Sequence, residues 1–439
     1  MKRLPSLLLV CCAVAGPARA AEPETHTLTL DQALGLARAN HPQLRAAHAQ
    51  TEVSSAKVNE ARAPLLPQVS SSASYQRATS NFASQPGTLP KGLASSSSSS
   101  SWDTSPYYRL GLTASELVYD FGLTTGKWNA AKATLRSQEE NERNFAVQVT
   151  FNLRSAYFVA AAARAMVKVA DETLRNQEAH LRQIQGFVEA GTRPEIDLAQ
   201  AKTDRANAKV QLINAQVAYD TGKALLNQAM GVERGTEYEV ADPPVDIVSG
   251  EDDSTDSLLP VALKARPDLL SLARQIEAQE LTTRSIRGGY APSLGVSTGL
   301  TDAGSDVGNL AWNWSATLSL SWQIYGGDIT QQQLREARAS TAVLHAQYDL
   351  QRQQVRADVE QARLGVRAAK AAIEATHEAA VNARVRLGLA EGRYQAGVGN
   401  VIELGDSQVA LTTAAGQEVA ATFNLAIARA KLLSALGQP

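Results

Sequence analysis

The 439-residue chain is long enough for one large domain or two to three ordinary ones, with 44% hydrophobic residues and 42 basic against 44 acidic side chains. It carries no basic stripe of the kind that neutralises phosphates, which excludes a nucleic-acid partner. Its two cysteines, Cys11 and Cys12, both fall in the first 20 residues, which excludes a disulfide, a thiolate nucleophile and cysteine metal ligands from the rest.

Residues 1–20, MKRLPSLLLVCCAVAGPARA, predict a secretory signal peptide: Lys2-Arg3, an apolar run from Leu7 to Val14, and Ala18-Arg19-Ala20 before the cut. The run is too short to span a bilayer as a helix. Neither cysteine follows a small residue, which argues against a lipoprotein site. Removing Lys2, Arg3 and Arg19 leaves 39 basic against 44 acidic residues, a net charge of about −5. No later segment reaches 18 consecutive apolar residues. An exported chain of this kind is periplasmic, secreted, or a barrel in an outer membrane.

The mature chain is one unit used twice. A shift of 206 lays Tyr119–Gly231 on Tyr325–Gly437 without a gap, and a shift of 225 lays Pro42 on Pro267 and Pro67 on Pro292. The 19-residue difference falls in NFASQPGTLPKGLASSSSSSS, a low-complexity run that cannot bury a core and reads as a loop. The predicted organisation is therefore a first repeat over 21–231, a linker over 232–258 and a second repeat over 259–437.

Each repeat opens with a predicted helix of roughly 25 residues, starting after a cap-like Asp31 or Asp268 and ending before Pro64 or near Gly288-Gly289. A β-hairpin follows: about 67–119 with its Ser-rich loop at 81–105, and about 292–325 closed by TDAGSDVGN. In WNWSATLSLSWQIY the apolar residues Trp312, Trp314, Leu318, Leu320, Trp322 and Ile324 alternate with small polar ones, predicting a two-faced strand. Tyr108, Leu110, Leu112, Ala114 and Val118 repeat the pattern, with Glu116 breaking it, and Val69, Ala73, Tyr75, Leu294, Val296 and Leu300 mark the partner strands. A soluble sandwich would also alternate. Aromatic outward faces and uncharged polar faces instead fit strands of a membrane barrel, with Trp312, Trp314 and Trp322 facing lipid. Four strands cannot close a barrel, and open edges in lipid are forbidden. Three chains would supply twelve.

After each hairpin comes a proline-free stretch rich in helix formers, Gly122–Glu189 and Asp328–Gln395, long enough at 1.5 Å per residue to reach about 100 Å. Turns at Gly191 and Gly397 send the chain back, completing helical hairpins over 122–231 and 328–436. Helices of such length need coiled-coil partners. The fold class expected is mainly α with a β-barrel portion.

Three stretches carry a family likeness: TLTLDQALGLARANHPQL, VYDFGLTTGKWNAAKA, and the paired turns EAGTRPEIDLAQA and QAGVGNVIELGDSQ. With both halves in order over essentially the whole mature chain, the sequence resembles the TolC-like outer-membrane efflux protein family. The resemblance implies a homotrimer in the outer membrane of a Gram-negative bacterium, one twelve-stranded barrel continuing into a helical tunnel through the periplasm. It implies three kinds of partner (a periplasmic adaptor of the membrane fusion protein class, an inner-membrane pump, and outer-membrane lipid) and no cofactor. By the same likeness the hairpin tips form a gate, and Glu403 and Asp406 match two pore-facing acids of the family. Tyr394 matches a latch tyrosine and Asp197 its acidic partner, while the latch arginine's place holds Gly399. The charged half of the latch is then absent, or moved to Arg193. Arg193 and Asp197, four apart, equally suit a local helix pair.

No catalytic constellation or metal motif is found. The six histidines are scattered, and Gly122-Leu-Thr-Thr-Gly126-Lys127-Trp128 departs from a phosphate loop in spacing and in its final residue, so it reads as a strand-to-helix bend. The expectation is an exit duct and not an enzyme. Small-molecule efflux is the leading function, type I protein secretion the alternative, and a periplasmic coiled-coil adaptor a third reading that leaves the amphipathic strands unexplained.

Overall fold

A computed structural model describes residues 26–79, 102–233, 235, 237–243 and 247–438. The signal segment 1–20 and residues 81–101 of the Ser-rich loop lie outside the described residues. In chain order the elements are β1 (His26–Leu28), α1 (Leu30–Asn40), α2 (Pro42–Arg62), β2 (Gln68–Thr79), β3 (Thr104–Tyr119), α3 (Leu123–Glu189) and α4 (Glu195–Met230). Then follow β4 (Tyr238–Val240), α5 (Thr255–Ala265), α6 (Pro267–Gly288), β5 (Ser293–Gly304), β6 (Ala311–Ser321), α7 (Ile329–Gln395) and α8 (Val401–Ala435). Two compact units emerge. One takes the described residues of Met1–Ala39, Leu153–Asp246 and Ile373–Ala426; the other takes Asn40–Asn152, Ile247–Ala372 and the described residues of Ile427–Pro439.

In the second of these units, β2, β3, β5 and β6 form a four-stranded sheet in that order, antiparallel throughout, so the two repeats join through β3 and β5. The register gathers most apolar side chains on one face, with Asp302 set among them opposite Leu110 and Trp312. Tyr108, Leu110, Leu112 and Ala114 share a face with Val69, Ala73 and Tyr75 on one side and with Val296 and Leu300 on the other. Trp312, Trp314, Leu318 and Leu320 of β6 extend that apolar face. The opposite face carries Ser70, Ser72, Thr113, Ser297, Gly299, Ser315 and Thr317, mostly small and polar, with Arg109 and Leu117 of β3 also on it. A bulge between Leu117 and Tyr119 restores an aromatic to the apolar face, opposite Leu294, after Glu116 has interrupted it. Trp312 and Trp314 are 74% and 62% exposed.

The strand ends earlier than alternation alone predicts. β6 stops at Ser321, and Trp322 lies past it with its indole N–H donating to the Tyr290 carbonyl at 3.1 Å. β5 likewise runs through Thr301–Gly304, shortening the predicted TDAGSDVGN loop. Each strand-to-helix bend places two successive residues in the left-handed region, Phe121 and Gly122 in one repeat, Gly327 and Asp328 in the other. The glycine occupies a different slot in each copy, so each bend forces one non-glycine into αL. Four residues on, Gly126 has no room for a side chain: a Cβ there would meet the Ser285 Cβ at 2.7 Å.

The single predicted opening helix of each repeat is a pair of helices, broken where Pro42 and Pro267 take the first helical position. Neither Asp31 nor Asp268 is the cap. Thr29 and Gln32 form a reciprocal capping box at α1: the Gln32 N–H donates to Thr29 Oγ1 and the Thr29 N–H to Gln32 Oε1. His41 caps α2, its Nδ1 accepting from the Gln43 N–H at 3.2 Å. In α6, Asp268 instead binds Arg266, which also reaches Asp358 at 2.8 Å.

The predicted linker is partly structured. Within the first unit, β4 pairs in parallel with β1, a second small sheet beyond the four strands expected. It is pinned by Tyr157, whose hydroxyl donates to the Leu28 and Ala241 carbonyls at 2.9 Å each; burial raises this phenol's pKa to about 12. In the second unit, Glu251 is 5% exposed and held by the Arg429 fork (2.7 Å to each oxygen) and by Lys370 at 2.7 Å. Hydrogen bonds from these cations pull its pKa down to about 2, against burial. Helix α5 begins at Thr255, inside the predicted linker.

The first unit holds the two helix turns. There α3 and α4 pair with glycine-alanine closeness: a Cβ on Gly222 would sit 3.2 Å from the Ala160 Cα. Its core is built of alanines, among them Ala160, Ala161, Ala201, Ala380 and Ala390, which lets helix backbones approach.

Candidate functional site

Both helical turns close by the same backbone device. Gly191 (φ +70°) and Gly397 (φ +76°) are left-handed caps. The Gly191 N–H donates to the Val188 carbonyl and the Thr192 N–H to Phe187; in the second turn Gly397 donates to Tyr394 and Val398 to Arg393. These are Schellman closures, which satisfy the last carbonyls of α3 and α7.

Around the turns the two hairpins share one small core: Ile184 of α3, Ala201 of α4, Ala390 and Tyr394 of α7, and Leu404 of α8. Tyr394 is its centre, 2% exposed. The Arg193 guanidinium lies 4.4 Å from the Tyr394 ring centroid, and its Nη2 donates to the Tyr394 carbonyl at 3.1 Å. His180 meets the ring edge-on, centroids 5.6 Å apart. Asp197 is buried beside it. No acceptor reaches hydrogen-bond geometry at the Tyr394 hydroxyl among the described residues, yet burial first and the Asp197 charge second raise its pKa. Tyr394, Asp197 and Arg193 are thus brought together within one chain. The alternative of a local Arg193–Asp197 helix pair is not what forms: Arg193 turns to the other hairpin.

Gly399 is where it is for a steric reason. Its N–H donates to the Arg393 carbonyl at 2.9 Å, and a Cβ would lie 2.7 Å from the Tyr394 backbone nitrogen. No arginine fits that backbone.

Glu403 and Asp406 both lie at the start of α8 but differ in company. Glu403 accepts from Arg393 Nη1 at 3.0 Å. Asp406 is exposed and makes no ion pair among the described residues, lining an open groove with Gly405, Val409, Gln200 and Asp204. The two acids are therefore not equivalent.

Three residues of this region were not singled out by the sequence reading. They are His180, one of six scattered histidines, and Gln177 and Gln408, whose side chains bond to each other at 2.7 Å in the buried interior. Thr173, Gln177, His180 and Ile184 recur at helical spacing on α3, so polar residues on a core-facing stripe were the available signal. Burial lowers the His180 pKa, partly opposed by Asp204, whose own pKa burial raises. No group of three or more histidine, acidic or cysteine side chains suited to a metal occurs among the described residues.

A family model described as outer membrane efflux protein matches residues 33–232 and 258–438. Outer membrane protein TolC of Escherichia coli strain K12 is 27% identical over 430 residues, covering 91% of this chain and 80% of that protein. Among solved structures, a membrane protein from Pseudomonas aeruginosa superposes with a TM-score of 0.80 at 19% identity, covering 94% of this chain and 91% of that one. The Campylobacter jejuni CmeC outer membrane channel gives 0.78 at 17% identity, covering 99% and 94%. The fold is that of an outer-membrane channel built from long helical hairpins and a short sheet. The chain belongs to the outer membrane efflux protein family, and its place is the outer membrane, as an exit channel for efflux.

Proposed function

We propose that three copies of this chain close one barrel and one helical tunnel, forming the outer-membrane duct of a pump that expels small molecules. The observation that carries this reading is the four-stranded antiparallel sheet, apolar and aromatic on one face, whose outer strands β2 and β6 have no further partner among the described residues. Its even strand number lets β6 of one copy pair antiparallel with β2 of the next. Twelve strands then leave no edge in lipid. The barrel lies in the outer membrane with Trp312 and Trp314 toward lipid and Trp322 just past the strand, where aromatics gather at an interface.

In this reading a periplasmic adaptor and an inner-membrane pump deliver cargo to the tunnel, and no step is catalytic. Glu403 and Asp406 face the pore and set its preference for cations. Arg193, Asp197 and Tyr394 latch one hairpin of a chain to the other. A type I protein-secretion duct is the second reading, favoured by the same architecture.

The test is deletion of the gene in its host, scored in parallel for drug susceptibility and secreted protein profile, with the chain fractionated and its native mass measured. Raised susceptibility with an unchanged secretome and a trimer in outer membrane is expected. A monomer in soluble periplasm would sink the channel reading, and loss of one secreted protein without drug sensitivity would select the secretion duct.

A further inference from the structure

The two tips differ in charge as well as in packing. In the first, Phe187 and Asp197 occupy the positions that Arg393 and Glu403 hold in the second, and Phe187 packs against the shared core. In the second, Arg393 lies in the last turn of α7 and Glu403 in the first turn of α8. Each charge thus sits at the helix end whose dipole favours it. The turn fixes the residue that carries the cation: the Arg393 carbonyl accepts from both Val398 and Gly399. Its guanidinium then meets Glu403 at 3.0 Å, across the turn and on the same hairpin.

Both side chains are well exposed (58% and 38%), so the pair adds little to stability. Its effect is on the field. An opposite charge bonded to Glu403 turns that carboxylate into one end of a short dipole, whose potential fades faster with distance than that of a lone charge. Asp406, without such a partner, reaches out to roughly a Debye length of 8 Å.

We propose that Arg393 is a selectivity-determining residue of the pore. By neutralising Glu403 it leaves Asp406 as the uncompensated one of these two acids in each chain. This rests on the reading that Glu403 and Asp406 face the pore. Three copies then present three effective negative charges and not six.

The experiment uses the full-length channel in planar bilayers, with reversal potentials measured in a potassium chloride gradient and block titrated with lanthanum chloride. Arg393→Gln shifts the reversal potential toward greater cation preference and lowers the concentration for half block by at least about fivefold, the factor for a single pair of unit charges about 4 Å apart in water, with three carboxylates unmasked against a trivalent ion. Arg393→Lys keeps the wild-type values. Glu403→Gln lowers cation preference, and the double variant Arg393→Gln with Glu403→Gln returns to wild type. If Arg393→Gln changes neither quantity while Asp406→Asn lowers cation preference and raises the half-block concentration, the role of Arg393 is overturned and the pore reading stands. If Glu403→Gln and Asp406→Asn also leave both unchanged, the pore reading itself fails and takes this inference with it.

Discussion

At the first hairpin tip the Phe187 carbonyl accepts from the Thr192 N–H and again from the Thr192 hydroxyl, at 2.9 Å each. At the second tip the matching Arg393 carbonyl accepts from the N–H groups of Val398 and Gly399. One tip finishes its cap with a side chain, the other with backbone. The consequence falls on the next position, which is Arg193 in one copy and Gly399 in the other. Where a hydroxyl does the capping, the backbone of residue 193 stands off, and its side chain is free to cross to Tyr394. Where an N–H must come in to 2.9 Å, the Cα is pressed against residues 393 and 394, and no side chain fits. With this closure the arginine that stacks on Tyr394 comes from the first tip.

The sharpest way to break this comparison is to give the second tip a side chain. Gly399→Ala brings a methyl to 2.7 Å of the Tyr394 nitrogen and is expected to cost about 1–3 kcal/mol locally, as overpacking does. Hydrogen exchange at Val398 and Gly397 reads the loss. Arg193→Gly removes only the stacking and one hydrogen bond, and should leave the exchange of its own tip close to wild type. Equal protection in Gly399→Ala and wild type would refute the steric account.

A milder change separates the helix starts. Asn400 caps α8, its Oδ1 accepting from the Ile402 N–H at 3.1 Å, whereas Pro194 at the start of α4 offers no side-chain acceptor. Asn400→Ala should cost about 1 kcal/mol of local stability. Proteolysis near the second tip should rise accordingly, while Pro194→Ala leaves the first tip's capping unchanged. If both substitutions have the same effect, the caps do not distinguish the tips.

Much of this was legible in the residues. Alternation in 311–320 and proline-free runs of strong helix formers fix strand and long helix through period alone, and duplication shows as a gapless shift. What stayed hidden has physical causes. Tertiary context ends β6 at Ser321 although the alternation runs on, because Trp322 finds a carbonyl outside the ladder. Pro42 and Pro267 break helices whose apolar pattern continues across them. The three-residue strands β1 and β4 are too short to carry a period, and their partner is more than 200 residues away. At the tips, the acids were visible as a spacing, but Arg393 as partner to Glu403 depends on the hand of the turn. Gly399 looked like a missing arginine until its distance to Tyr394 gave it a reason.

The smallest effect concerns the ring at the centre. Tyr394 belongs to the second tip, where the first has Val188, and only Tyr394 offers a ring for His180 to pack against. Facing His180 are Tyr394 and Glu391 from α7, Asp204 from α4 and Gln408 from α8. Burial lowers the His180 pKa from its ordinary 6.5, so the packed tip prefers the neutral ring. That contribution is full at higher pH and is lost as the pH falls below about 6.5. Asp204 works the other way. Burial raises its pKa above the ordinary 3.8, so the packed state favours the protonated acid and regains stability as the pH falls through that raised range. Between the two ranges the tip should pass through a minimum. Hydrogen exchange of the tip amides, corrected for intrinsic rates and followed from neutral to acid pH, should show it. His180→Gln should flatten the high-pH side of the minimum and leave the Asp204 side in place. A profile unchanged by His180→Gln would mean that the imidazole's charge state does not govern how Tyr394 is held.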